Sequence, residues 1–483
     1  MIELTSIIQS DRVLSRGEMA KIALRLSGPA ILAQISSIAM QYIDAAMVGQ
    51  LGATSSASIG LVSAAVWMMG GVTNAFSYGF SVQVAQGLGA GEEKRVRKVV
   101  HQGIFSLLIL SLLIGILGVL IAGRLPYWLG GSGEMAREAK GYFLTYASFL
   151  PLVQMMYFGG AVLQASGDMK TPSILESLMC VEDVILNALL IFPAGANADR
   201  SFVPAPLEIG AGLGVTGAAL GTCLAYLITA FAMWYCILFR SDPLHWRKEK
   251  KPFEKSILTR ALQIGSPMAF EEVALTGAQL VSTMIVAPLG TIAVSAHSFA
   301  ITAESICYMP GYGLEGAAST LVGQAYGAGK KKLARSFGWM TILLGMGIMA
   351  VAGGAMYFLC PWVFRFLTPV KAVQKLGVRV LRIELMAEAL FGASIVSAGA
   401  LRGAGDTFVP ALMSLFSMWG VRLTLASILS KSLGLRGVWT AMAIELSFRG
   451  VIFLIRFARS KYLKDSGPGD SGSGSEKIAS GQT

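Results

Sequence analysis

Charge is what this chain has least of. Only 14% of its 483 residues are charged, against about 25% in an ordinary soluble domain. That excludes a conventional water-facing surface. Histidine is rarer still, with three in the whole chain, and the five cysteines, Cys180, Cys223, Cys236, Cys307 and Cys360, show no CxxC spacing. A zinc site or a disulfide framework needs closer or more numerous ligands, so the thiols read as buried and free. The Gly-rich GAG loops lack the lysine spacing of a phosphate-binding loop, which excludes an ATPase. No nucleophile–base set is present, so no enzyme is expected. Runs of strict alternation are missing, which argues against a transmembrane β-barrel. The stretch from Met1 to Ala20 has neither an apolar core segment nor a small-residue cleavage site, so no removable leader is expected.

What is there is apolar length. Hydrophobic residues make up 54% of the chain, in runs of about 20 that suit membrane-crossing helices. The runs predict an all-α, polytopic membrane protein with twelve transmembrane helices. They lie near 20–48, 54–84, 96–123, 136–164, 172–193, 212–239, 257–287, 292–325, 333–360, 376–402, 408–431 and 436–460. The net charge of +11 does not point to nucleic acid. The basic residues sit in short loops after spans 2, 6, 8 and 12, such as Lys94, Arg95, Arg97 and Lys98, or Arg247, Lys248, Lys250, Lys251 and Lys255. The loops after spans 1 and 7 carry none, while that after span 9 (Arg365, Lys371, Lys375) is a mild exception. The positive-inside rule then places both termini in the cytoplasm of a multi-pass protein of the cell's inner (plasma) membrane. Residues 461–483 form a Gly/Ser-rich tail that reads as disordered.

The chain also repeats itself. VAQGLGAG (Val84 to Gly91) resembles VGQAYGAG (Val322 to Gly329), and QASGDMKTP (Gln164 to Pro172) resembles RGAGDTFVP (Arg402 to Pro410). Both pairs are separated by one and the same offset, which also carries Pro29 onto Pro267. The register slips after that, where the first half holds an extra outer loop, Pro193 to Gly210. Two pseudo-symmetric six-helix lobes follow: residues 20–239 and 257–460, with a cytoplasmic segment 1–19 before them and a linker 240–256 between. Parallel repeats of this kind place a substrate path where the halves meet.

In order and spacing these motifs resemble those of multidrug and toxic compound extrusion (MATE) transporters over roughly residues 16–460. The pieces are Pro29 with VGQLG, AQGLGAG, GDMKTP and GVTGAALGT in the first half, then PLG, AASTLVGQAYGAG, LRGAGDTFVP and GLRGVWTAMAIE in the second. The resemblance implies two lobes around a V-shaped cavity. It also implies export of organic cations and amphipathic drugs by antiport with H⁺ or Na⁺. No cofactor beyond the coupling ion is expected, and the expected partners are small-molecule drugs or organic cations and membrane lipid. No nucleic acid is expected, and the chain reads as a monomer. The rival within the wider superfamily is a flippase for a lipid-linked sugar.

Between Arg25 and Glu92 the only charged residue is Asp44. An ionised carboxylate at a helix centre in lipid costs roughly 3 kcal/mol or more, so such a residue is read as functional by default. Depth brings Asp183, Asn187 and Thr222 to the same outer half of the membrane, and the i, i+4 spacing of Asp183 and Asn187 puts them on one face. Carboxylate, amide and hydroxyl oxygens together suit a proton or Na⁺. The resemblance implies the same four as the first-lobe cation site, with the order Asp183 then Asn187 reversed from the commoner Asn then Asp. In the second lobe, the expected substrate-binding set is Glu271, Glu272, Glu388 and Arg422. Arg422 is also a candidate partner for Glu384 or Glu388, and Glu445 for Arg449. At the repeat offset, Ser282 stands where the first lobe has Asp44, so the ion site is expected in the first lobe alone.

Overall fold

The computed structural model describes residues 2–10, 14–193, 210–241, 244–245 and 253–463. Arg12, most of the outer loop Pro193 to Gly210, the basic cluster Arg247, Lys248, Lys250 and Lys251, and the tail beyond Leu463 lie outside the described residues. Among the described residues there is no strand, only an isolated bridge between Pro193 and Ala211.

A short helix, α1 (Ile2–Gln9), precedes the first lobe. That lobe holds α2 (Arg16–Gly49), α3 (Ala53–Gly89), α4 (Glu93–Ile121), the single turn α5 (Leu125–Trp128), α6 (Gly133–Ala165), α7 (Lys170–Ile191) and α8 (Gly214–Tyr235). The second lobe holds α9 (Lys255–Val286), α10 (Thr291–Gly327), α11 (Lys331–Leu367), α12 (Lys371–Glu384), α13 (Glu388–Ala404), α14 (Phe408–Leu415), α15 (Thr424–Leu433) and α16 (Leu435–Arg459). Counting α12–α13 and α14–α15 as one column each, and leaving α1 and α5 aside, these make twelve spans, six in each lobe. Span 9 runs past its expected end, through Pro361 to Leu367. Span 10 is broken at residues 385–387, which leaves Glu384 and Glu388 at two helix ends. Span 11 stays continuous through a π-helical stretch, Phe416–Leu423.

Local sequence explains the boundaries. Ser15 and Glu18 form a reciprocal capping box that starts α2. Gly52 and Gly290 start α3 and α10 at φ of 123° and 95°. Side chains with a Cβ rarely adopt that region, so glycine stands at both equivalent turns. Nine helical stretches among the described residues are long and apolar enough to cross a membrane by composition. The spans left over are α7, α10 and α12–α13. They carry Glu176, Glu182 and Asp183, then Glu304 and Glu315, then Glu384 and Glu388. Most of the acids that lower their apolarity reappear in or beside the sites described below.

Each lobe has its own apolar core, around Phe80, Phe158 and Met233 in the first and Phe364, Leu381 and Trp439 in the second. Between the lobes α3 packs on α9 and α10, and α2 on α10. A set of polar bonds crosses the seam at the end where the described residues begin and end. Gln86 Nε2 donates to Gly403 O (2.9 Å), Gln324 Nε2 to Ala165 O (2.9 Å), Thr320 Oγ1 to Gln164 O (3.0 Å) and Gln83 Nε2 to Ile257 O (3.1 Å). Helix α1 lies over this seam. Its Gln9 Nε2 donates to Leu88 O (3.2 Å) in the first lobe, Lys330 Nζ of the second donates to Ser10 O (2.5 Å), and Ile8 is fully buried. The segment expected only to precede the first lobe is thus a bridge between the lobes.

Candidate functional site

The first-lobe cluster is built by α2, α7 and α8. Asn187 donates from Nδ2 to Asp44 Oδ1 (2.9 Å) and to Asp183 Oδ2 (3.0 Å). One amide therefore ties two carboxylates from two helices together. Asp183 and Asn187 are fully buried and Asp44 is half-buried. Asp183 Oδ1 and Asn187 Oδ1 are buried with no hydrogen bond among the described residues. Thr222 lies beside Asp183, but its hydroxyl donates to Ala218 O of its own helix (3.1 Å). The small residues of GVTGAALGT let α8 come this close, because a Cβ at Gly221 would collide with Asn187 Oδ1.

Leaving a carboxylate oxygen of Asp183 and the amide oxygen of Asn187 without partners is costly, since each orphaned buried acceptor loses about 1–3 kcal/mol. A proton shared between the carboxylates, or a small hard cation, would supply what is missing. Among the described residues no group of three or more His, Cys, Asp and Glu is arranged to hold a metal ion. Any cation here would have to use the amide, and α2, α7 and α8 would have to close on it. Ser282, the counterpart of Asp44, is buried, and its hydroxyl has no hydrogen bond among the described residues.

The four second-lobe residues separate. Glu271 and Glu272 line a cavity of about 290 Å³ between the lobes. Glu388 and Arg422 do not line it. Glu388 is buried within the second lobe, and neither carboxylate oxygen has a hydrogen bond among the described residues. Arg422 sits on the π-helical stretch, which turns it toward α16, and its Nη2 donates to Met442 Sδ (2.9 Å). It makes no ion pair with Glu384 or Glu388; it faces Glu445, Glu304 and Glu384 only at electrostatic range. Glu445 does pair with Arg449 (3.1 Å) and accepts from Ser417 Oγ (2.7 Å). His297 accepts from Trp439 Nε1 (3.1 Å) and belongs to the second-lobe packing.

Sequence reasoning does not single out two further residues of this region. Arg402 belongs to the repeated motif, yet its guanidinium clamps Glu271 (3.0 Å) and Glu315, joining three helices of the second lobe. Glu176 lies two turns before Asp183 along α7. It lines a second cavity of about 310 Å³ with Tyr157, Tyr226 and Gln164. An acid two turns from another on one span was the available signal. Arg402 left no comparable signal, because its partners come from distant spans. The two cavities share Asn74, Tyr78 and Tyr312.

The MatE family model matches the chain twice, at residues 29–189 and 267–428. The two matches begin at Pro29 and Pro267, which the repeat offset carries onto each other. The chain is 27% identical to a protein of Thermotoga maritima named "Probable multidrug resistance protein NorM", over 93% of each sequence. It is 29% identical to a protein of the same name from Brucella suis biovar 1, over 92% of this chain and 93% of that one. Its fold superposes on a MOP superfamily transporter from Pyrococcus furiosus with a TM-score of 0.86 at 19% identity, covering 96% of this chain and 99% of the other.

Proposed function

The chain belongs to the MatE family, and from that premise we propose that it is a multidrug efflux antiporter. It exports organic cations and amphipathic compounds across the cell's inner membrane in exchange for H⁺ or Na⁺, with both termini in the cytoplasm. The observation that carries the coupling is the amide bridge between Asp44 and Asp183, which holds two acids from separate helices at one buried point. A bound H⁺ or Na⁺ offsets the repulsion between the acids and lets α2 close on α7. With the ion gone, the carboxylates repel and α2 loosens. Since α2 also packs on α10 of the other lobe, ion occupancy is felt at the seam.

The substrate cavity between the lobes suits positive charge. Its basic lining residues, Arg402 and Arg449, are both paired with carboxylates. That disfavours the flippase reading, since a lipid pyrophosphate would need free guanidinium or ammonium groups. The chain acts by transport and not by chemical conversion.

The test is ethidium efflux from proteoliposomes under an imposed pH gradient, then under a Na⁺ gradient. One of the two gradients should drive concentrative export. Asp44→Asn should abolish it without lowering the yield of folded protein. Export by that variant at the wild-type rate would sink the coupling role.

A further inference from the structure

The two cavities at the lobe seam share Asn74, Tyr78 and Tyr312 in their walls, so they adjoin there. Either alone is near the lower limit for a drug-sized ligand, about 300 Å³. Their charged lining is small enough to account for residue by residue. Arg402 gives its two terminal nitrogens to Glu271 and Glu315. Arg449 is held by Glu445. Two lining carboxylates remain without a hydrogen bond or ion pair among the described residues: Glu176 from α7 and Glu272 from α9. They come from opposite lobes, Glu176 lining one of the adjoining cavities and Glu272 the other. Tyr157 lies within electrostatic range of both. Glu272 reaches across the seam, and its Oε1 would sit 2.6 Å from a Cβ placed at Gly71.

We infer that the two adjoining cavities act as one space that selects organic dications, with Glu176 holding one positive end, Glu272 the other, and the tyrosine faces between them. The inference deepens the efflux reading above and rests on it. A dication with separated charges gains two desolvated ion pairs, whereas a monocation gains one and leaves the other acid unpaired. Phenol faces add cation–π attraction, which strengthens where water is excluded. The bridge at Arg402 keeps the adjoining wall from repelling either end. The position of Glu272 also explains why glycine stands at position 71: a side chain there would push the carboxylate out of the seam.

The experiment measures binding of two fluorescent dyes to the purified full-length protein. DAPI is a bis-cation with amidinium ends, and ethidium carries a single charge. The wild-type protein should bind DAPI at least about tenfold more tightly, the equivalent of ~1.4 kcal/mol for the second ion pair. Glu176→Gln and Glu272→Gln should each lower DAPI affinity by about tenfold and ethidium affinity by less than about threefold. Gly71→Ala should reproduce the Glu272→Gln effect with no carboxylate removed. Glu272→Asp, which keeps the charge, should retain most of the preference, and elution of each variant as a single species checks its folding. Equal affinity for the two dyes, or equal losses for both in the Gln variants, overturns the inference. If ethidium is still exported in that case, the efflux reading stands. If neither dye is bound or exported, both readings fall.

Discussion

Gln86 and Gln324 hold each other's lobes by equivalent bonds. The repeat offset carries one glutamine onto the other, and it carries the carbonyl of Ala165 onto that of Gly403, their two acceptors. The glycines that pack against them obey the same rule, since a Cβ on Gly89 would strike the backbone of Gln324 and one on Gly327 that of Gln86. The seam at the terminal end is therefore a pseudo-two-fold contact in which each repeat motif caps the other half. The symmetry is broken at one point: Gln86 Oε1 also accepts from Arg260 (2.5 Å), while Gln324 is met by Thr5 of α1.

These bonds must break when the lobes part at this end. Replacing both glutamines by alanine orphans two buried carbonyls, each worth about 1–3 kcal/mol in the closed seam. We expect hydrogen exchange to quicken in residues 83–90 and 320–327 of the double variant, with the rest of the fold unchanged. Gly327→Ala should do the same by collision, without removing a hydrogen bond. Unaltered exchange in both variants would show that the pair does not hold the seam shut.

Helix α1 contributes to the same closure. Deleting residues 2–10 removes Ile8 from a fully buried position and Leu4 from a largely buried one, at about 1.5–3 kcal/mol each. It also removes the bonds from Gln9 and Lys330 across the seam. The truncated protein should therefore lose several degrees in melting temperature in detergent. It should also exchange faster at residues 320–327 than the full chain. A truncation that melts and exchanges like the parent would mean that α1 rests on the seam without strengthening it.

Much of this architecture can be read from the residues, for physical reasons. Apolar runs mark spans because lipid demands them, and the fixed offset between VAQGLGAG and VGQAYGAG reveals two lobes. Asp44 stands out because nothing else in its stretch is charged, and the i, i+4 rule brings Asp183 and Asn187 to one face. The limits lie where partners are distant in sequence. The offset shows that Gln86 and Gln324 are equivalent, but not that each reaches into the other half. Arg402 finds Glu271 and Glu315 only after three spans have packed. Arg422 and Glu388 are plausible cavity residues by depth alone, and only the π-helical turn and the break at 385–387 turn them inward. Periodicity fixes a face of a regular helix, and at both of those places the second lobe is irregular.

The Arg402 bridge yields an asymmetric expectation. Removing the arginine leaves two buried carboxylates facing one another, which costs about 3–5 kcal/mol. Arg402→Met should therefore cut the yield of folded protein sharply. Adding Glu271→Gln and Glu315→Gln removes the uncompensated charge and should restore most of the melting temperature. If the single variant is as stable as the parent, Arg402 is not the counter-charge of these acids. If the triple variant is no better than the single one, the loss comes from packing and not from charge.

The amide at Asn187 gives the sharpest separation of structure from coupling. Its Nδ2 is the one side-chain amide that joins Asp44 to Asp183 among the described residues. Hydrogen bonds to charged acceptors are worth about 1.5–3 kcal/mol each. Asn187→Leu keeps the volume and removes the bridge, so α2 loses its tie to α7 while both acids remain. We expect gradient-driven ethidium export to fall to background, with the protein still eluting as a single species. Thr222→Val is the control, because its hydroxyl bonds its own helix and its loss leaves the bridge intact. That variant should keep at least about half of wild-type export, the cost of one local hydrogen bond of ~0.5 kcal/mol. Equal defects in the two variants would mean that the cluster works as one oxygen shell around an ion. A defect in Asn187→Leu alone assigns the work to the bridge.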